Sequence, residues 1–253
     1  MSAFQHTLDQ ITELKFHGFK SALLEQLENP DYGSLPFEER LSHLITAEIT
    51  ERNNRRIKRL LSQSRLKYKQ AMIEDIDYSA SRSIDRSLIL SLAENRWIER
   101  MQNIIISGAT GTGKTYLACA LGNRAIANGY SVRYVRLAKL FSEVALVRAD
   151  GSYLSWLNKL IKKRVLILDD FGTAPMKARD ALELLEVVED KAQTGSVVIT
   201  SQLPVKRWHD YLNNPTVADA ILDRLVHNAH RINLKGESMR KVKNSLANSD
   251  SSS

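Results

Sequence analysis

The chain of 253 residues carries 36 Lys and Arg against 29 Asp and Glu, a net charge of +7. That length can bury a full core in one large or two modest domains, and the basic excess leans weakly toward an anionic partner such as nucleic acid. A lone cysteine, Cys119, excludes an internal disulfide framework; no apolar run is long enough to span a membrane, and residues 1–10 lack the basic start and apolar stretch of a signal peptide, so a reducing, cytoplasmic setting is expected.

Residues 1–75 read as a small, all-helical domain. One helix is predicted over residues 12–28, followed by punctuation at Asn29-Pro30-Asp31-Tyr32-Gly33. A second begins near Pro36, whose ring suits a first helical turn, with Glu38 and Glu39 placed where the helix dipole favours acids. Leu41, Leu44, Ile45 and Ile49 mark one apolar face at helical spacing, and Arg52, Arg55, Arg56 and Arg59 continue it as a basic stripe, extended by Arg65, Lys67 and Lys69. Arginine-rich charge of one sign suits contact with a phosphate backbone or a partner; a solvated charged face is the plain alternative.

Residues 76–243 are expected to form a nucleotide-binding domain, entered through a junction over 71–100. That junction holds an acidic patch at Glu74, Asp75 and Asp77, a cap at Ser83 and an apolar helix through Leu88, Leu90, Leu92 and Trp97. Next comes a β-branched run, Asn103-Ile104-Ile105-Ile106-Ser107, then Gly108-Ala109-Thr110-Gly111-Thr112-Gly113-Lys114-Thr115, then a helix-capable stretch over 116–128. Strand, glycine loop and helix in that order make a phosphate cradle: the glycines let backbone N–H groups turn inward, and the helix start adds its positive end. Lys114 would reach the β- and γ-phosphates, and the Thr115 hydroxyl would hold Mg²⁺. The chain is therefore expected to bind a nucleoside triphosphate.

Further strands are predicted over 131–136, 165–170, 196–202 and 231–234, with helices over 138–148, 152–163, 178–191 and 218–226 between them. The alternation gives a parallel, doubly wound α/β sheet with its ligand at the carboxyl ends of the strands. Residues 244–253, polar and serine-rich, are expected to be a disordered tail.

The same edge of that sheet would gather Lys114, Asp169, Asp170 and the stretch Thr200-Ser201-Gln202. Asp169, ending a Val-Leu-Ile-Leu strand, is the natural oxygen partner of Mg²⁺, and Asp170 could orient and activate the attacking water. Gln202, with Ser201 as second choice, could touch that water or the γ-phosphate. Arg224, flanked by Ile221, Leu222 and Leu225, either pairs with a nearby acid or serves as an arginine finger in a neighbouring subunit's site.

Together these residues resemble the IstB-like branch of the AAA+ P-loop ATPases, helper proteins of a bacterial transposition system, and more distantly the DnaC-type helicase loaders. The resemblance covers most of the chain: Phe37-Glu38-Glu39-Arg40-Leu41, Gly108 to Thr115, Leu168-Asp169-Asp170-Phe171-Gly172, Thr200-Ser201-Gln202, Trp208, Asp223-Arg224-Leu225 and Gly236-Glu237-Ser238-Met239-Arg240. It implies ATP and Mg²⁺ at Lys114 and Thr115, a Walker B pair at Asp169 and Asp170, a sensor at Gln202 or a neighbour, a trans finger at Arg224, and a phosphate-sensing or structural role for Arg240. It also implies ATP-dependent homo-oligomers on duplex DNA that stimulate a partner transposase. Two departures stand out: Asp-Asp replaces the common Asp-Glu, implying slow hydrolysis, and too little chain follows Leu234 for a full helical lid, so that nucleotide would be held mainly between subunits.

Three other readings share the phosphate loop. A helicase loader differs in its partner and its strand preference, and a small-molecule kinase lacks support because no arginine-rich lid follows the Asp169 strand. A scaffold that uses ATP without turnover is permitted by the Asp-Asp pair.

Overall fold

A computed structural model describes residues 3–79 and 83–239; Arg240 and the expected tail lie outside the described residues. The chain divides into two compact units, Met1–Arg59 and Leu60–Ser253, earlier than the division expected between residues 75 and 76.

The first unit is helical. Where one helix was expected over 12–28 there are two, α1 (Ala3–Glu13) and α2 (His17–Glu28). Lys15 takes a left-handed φ of 60°, which ends the first helix before the second begins. A single 3-10 turn over Pro30–Ser34 leads to α3 (Phe37–Ser64), whose last residues belong to the second unit. Phe16 offers no side-chain cap to α2, and Glu48 of α3 supplies one from outside: its Oε2 accepts from Gly18 N at 2.8 Å and Phe19 N at 3.1 Å. Burial pushes the Glu48 carboxyl up, but Arg52 and those two amides outweigh it and hold it below the usual carboxylate range. A Cβ at Gly18 would collide with the Ala47 carbonyl, so glycine is what lets α2 approach α3 this closely. On α3 the expected apolar face is only partly covered: Leu44 is buried, whereas Leu41, Ile45 and Ile49 are exposed. The basic stripe is interleaved with acids, since Arg52 pairs with Glu48 at 2.6 Å and Arg55 with Glu51 at 3.1 Å.

The second unit is built on a five-stranded parallel sheet in the order β2-β3-β4-β1-β5. The strands are β1 (Asn103–Gly108), β2 (Val132–Arg136), β3 (Val165–Phe171), β4 (Ser196–Ser201) and β5 (Ala229–Leu234). Ile104 to Ile106, Val165 to Leu168 and Val197 to Ile199 are buried on both faces, as the continuous apolar runs require. Helices α4 (Arg86–Ala93) and α5 (Arg96–Glu99) precede β1. The cap of α4 is Asp85, which accepts from Ser87 N and Leu88 N; Ser83, the expected cap, instead sits at a left-handed φ of 52°.

Between the strands run α6 (Lys114–Ala127), α7 (Leu137–Ala149), α8 (Tyr153–Ile161), α9 (Ala178–Ala192), α10 (Trp208–Leu212) and α11 (Pro215–Val226). The short α10 is not foreshadowed by any periodicity in the sequence. It carries Trp208, fully buried with its ring centroid 4.3 Å from that of Phe171, and so packs the connection after β4 against the end of β3. Asn103 ties the amino edge of the sheet together: its Nδ2 donates to Arg224 O at 2.9 Å and its Oδ1 accepts from Val197 N at 2.9 Å.

Candidate nucleotide site

β1 ends in the glycine loop at the carboxyl edge of the sheet. Gly108, Gly111 and Gly113 have φ of 148°, 85° and 93°, conformations that side-chain-bearing residues rarely adopt. Gly113 is the N-cap of α6 and has no side chain to offer, so the first-turn N–H groups of this helix remain turned to the loop for an anion. A Cβ at Gly108 would collide with the Leu234 carbonyl, and one at Gly111 with the Ser238 hydroxyl. Met239 N donates to Gly111 O at 3.0 Å, so the stretch after β5 lies directly on the loop.

Lys114 is buried, and its Nζ donates to Gly108 O at 2.8 Å and Ala109 O at 2.7 Å. Burial pushes its pKa down, against the opposing pull of Asp170 and Asp169. Thr115 Oγ1 donates to Asp169 Oδ1 at 2.9 Å, although the two residues are far apart in the chain. Thr200 Oγ1 reaches the same oxygen at 2.5 Å and accepts from Asp170 N at 3.1 Å, so the end of β4 fixes both carboxylate residues. This oxygen set, a hydroxyl beside a carboxylate next to a lysine-bearing loop, has the hard-donor chemistry that Mg²⁺ prefers.

The ladder between β3 and β4 slips between Leu168 and Phe171, and within that bulge Asp170 takes a φ of 65°. The bulge turns consecutive aspartates to different tasks: Asp169 is fully buried among hydroxyls, while Asp170 lines the open cavity. Burial raises the Asp170 pKa and Asp169 raises it further, with Lys67, Arg136 and Lys114 acting against both.

The cavity has a volume of about 690 Å³, within the roughly 300–1,000 Å³ common for small-molecule sites. Lys114, Thr115, Thr110, Gly111, Gly113, Asp170 and Gln202 line it. So do Lys67, Tyr68, Ile76 and Ile84 from the stretch before β1, Arg136 from the end of β2, and Met239. Tyr116 pins that stretch to α6, accepting from Met72 N at 3.4 Å and donating to Asp75 at 3.3 Å. Tyr68, Ile76 and Ile84 carry no sequence signal for this site, whereas Arg136 is open to inference as the last residue of a strand ending at the phosphate edge.

Arg224 is not among the lining residues. It sits on α11, where its Nη2 pairs with Glu189 at 2.8 Å and its Nη1 donates to Ala220 O at 2.9 Å. Asp223, the nearest acid in sequence, faces His227 instead, at 3.7 Å. Arg52, Arg55, Arg56 and Arg59 lie in the first unit.

Residues 9–247 match the family model described as IstB-like ATP binding protein. Among curated sequences, the chain is similar to one described as an insertion sequence ATP-binding protein in Sinorhizobium fredii, 43% identical over 93% of this chain and 96% of that one. It is also similar to the insertion sequence IS1162 ATP-binding protein of Pseudomonas fluorescens, 42% identical over 79% of this chain and 87% of that one. Among solved structures, the DnaC helicase loader superposes with a TM-score of 0.57 over 66% of this chain and 98% of that one; at 16% identity this likeness shows a shared fold.

Proposed function

A member of the IstB-like ATP-binding protein family, this chain is, we propose, the ATPase of an insertion sequence, which binds ATP with Mg²⁺ at the Lys114 loop, oligomerises on duplex DNA and stimulates a partner transposase. The observation that carries the reading is the Thr115–Asp169 pair at 2.9 Å, with Thr115 and Lys114 lining a cavity of about 690 Å³.

In this reading the glycine loop and the start of α6 hold the phosphates, and Lys114 leaves the Gly108 and Ala109 carbonyls to neutralise the β- and γ-phosphates. Thr115 and Asp169 would hold Mg²⁺, which would supply positive charge against the phosphate charge that develops. Asp170, directed into the cavity by its bulge, orients the attacking water and accepts its proton; Gln202 contacts the same water or the γ-phosphate. Arg224 of one subunit completes the site of the next. Arg240 keeps the phosphate-sensing or structural role that the family resemblance implies. The arginines of α3 contact the DNA backbone.

The test is sedimentation of the protein with a random duplex, with and without ATP and Mg²⁺, beside Lys114→Ala. Large complexes that form only with ATP and vanish in the variant are the expected result. Assembly on single strands alone would turn the reading toward a helicase loader, and a monomer indifferent to DNA would overturn it.

A further inference from the structure

Asp169 has a partner outside the phosphate loop and outside β4. Tyr134, on β2, donates its hydroxyl to Asp169 Oδ2 at 2.6 Å. Both residues are buried, Asp169 completely. The other carboxylate oxygen, Oδ1, is the one met by Thr115 and Thr200. Among the described residues three hydroxyls therefore divide the carboxylate between them, with Tyr134 on the second oxygen. In the parallel ladder Tyr134 is level with Ile167 and Arg136 with Asp169, so the tyrosine ring leans along the strand toward the carboxyl edge to make this contact.

The ring by itself would fill the same space in a phenylalanine. A buried hydroxyl adds a desolvation cost unless it is bonded, and here it makes a short, charge-assisted bond. Rotation of a carboxylate about its last bond is otherwise broad; a donor fixed to Oδ2 sets the plane of the group and hence where Oδ1 points.

We propose that Tyr134 is a positioning residue of the Mg²⁺–ATP site, whose hydroxyl holds Asp169 Oδ2 so that Oδ1 stays directed at Thr115. The inference rests on the reading of Thr115 and Asp169 as the metal side of the site. Tyr134 touches neither metal nor nucleotide; it acts through the carboxylate. Removing the hydroxyl leaves Oδ2 without its donor in a site closed to water, and the carboxylate turns to share its remaining donors.

The experiment is a titration of Mg²⁺ into the protein and a fluorescent ATP analogue, reading nucleotide affinity with no turnover required. Wild-type affinity should rise with Mg²⁺, and Asp169→Asn should lose that rise; failure of either overturns the underlying reading of the metal side. Given both, Tyr134→Phe should bind nucleotide without Mg²⁺ within about twofold of wild type and need at least about tenfold more Mg²⁺ for half of the rise. A Mg²⁺ midpoint unchanged in Tyr134→Phe, or a loss of affinity equal with and without Mg²⁺, would overturn the positioning role alone. Replacement of Tyr134 by p-aminophenylalanine keeps the ring and restores a donor. It should recover the midpoint, and failure to do so in a folded protein would count against the hydrogen bond.

Discussion

Arg224 Nη2 lies 2.8 Å from Glu189 Oε1, and the Arg224 carbonyl is held by Asn103, the first residue of β1. The phosphate loop leaves the other end of that strand. With a rise of about 3.3 Å per residue, β1 alone puts roughly 15–20 Å between them. Arg224 is thus at the wrong edge of the sheet to reach the phosphates of its own subunit, and any contact with a γ-phosphate has to be made in a neighbour.

Arg224→Ala is accordingly expected to bind ATP within about twofold of wild type and to lose hydrolysis by on the order of 10³-fold. Mixing it with Lys114→Ala should restore part of the turnover, because one variant keeps the loop and the other keeps the finger. Glu189→Gln breaks the same ion pair but leaves the arginine, and should hydrolyse normally. Normal turnover by Arg224→Ala, or no recovery in the mixture, would remove the finger.

At Gly111 two independent obstacles meet. Its φ of 85° disfavours any side chain, and a Cβ would collide with Ser238. Gly111→Ala should lower ATP affinity by tenfold or more and cost about 1–3 kcal/mol of stability, read by nucleotide titration and thermal melting. Adding Ser238→Gly should relieve only the collision, so recovery in the double variant should be partial. Full recovery would show that the backbone conformation carries no strain.

Much of this site is legible in the chain because each part sits at the end of an apolar run. Ile104 to Ile106 fix β1, and Val165 to Leu168 fix β3, so Lys114 and Asp169 fall at one edge by topology alone. Thr200 grips both aspartates, a contact that a strand pattern does not resolve, while Gln202 lines the cavity. Tyr134 reads as a strand residue like its neighbours, and only the ladder beside β3 reveals its hydroxyl's partner. Lys67, Tyr68 and Ile76 line the cavity from a stretch with no periodicity, positioned by long-range contacts such as Tyr116 with Asp75. The break between α1 and α2 leaves no mark in the sequence because Lys15, an ordinary helix former, takes a left-handed turn there.

For the basic stripe, the ion pairs of Arg52 with Glu48 and Arg55 with Glu51 mean that part of its charge is already matched within α3. Replacing Arg52, Arg55, Arg56 and Arg59 together by Ala should weaken duplex binding and flatten its dependence on log salt. Each DNA phosphate that an arginine no longer neutralises reduces that slope by about 0.9. Glu51→Gln, which removes the shorter of the two ion pairs of Arg55 and leaves the one to Glu48 at 4.0 Å, should shift binding the other way. A slope unchanged in the quadruple variant would mean a solvated face that does not touch DNA.

Lys191 offers a pH test away from the site. It is fully buried on α9, and its Nζ donates to the carbonyls of Lys163 and Ile161 at the end of α8. Burial pushes its pKa down from 10.5 to about 8, with Arg164 adding repulsion. Below about 8 both folded and unfolded chains carry the proton, so the penalty for burying the charge is fully present. Between about 8 and 10.5 the folded chain binds fewer protons than the unfolded one, so this group's contribution to stability improves as pH rises. Cys119, whose thiol burial pushes up to about 11, works in the opposite sense in the same window. Comparison with Lys191→Met cancels it, since both proteins carry that thiol. The melting temperature of wild type minus that of Lys191→Met should therefore climb by several degrees from pH 7 to pH 10.5. A flat difference across that range would mean that Lys191 keeps its ordinary pKa in the folded chain, its charge satisfied by the carbonyls that receive it.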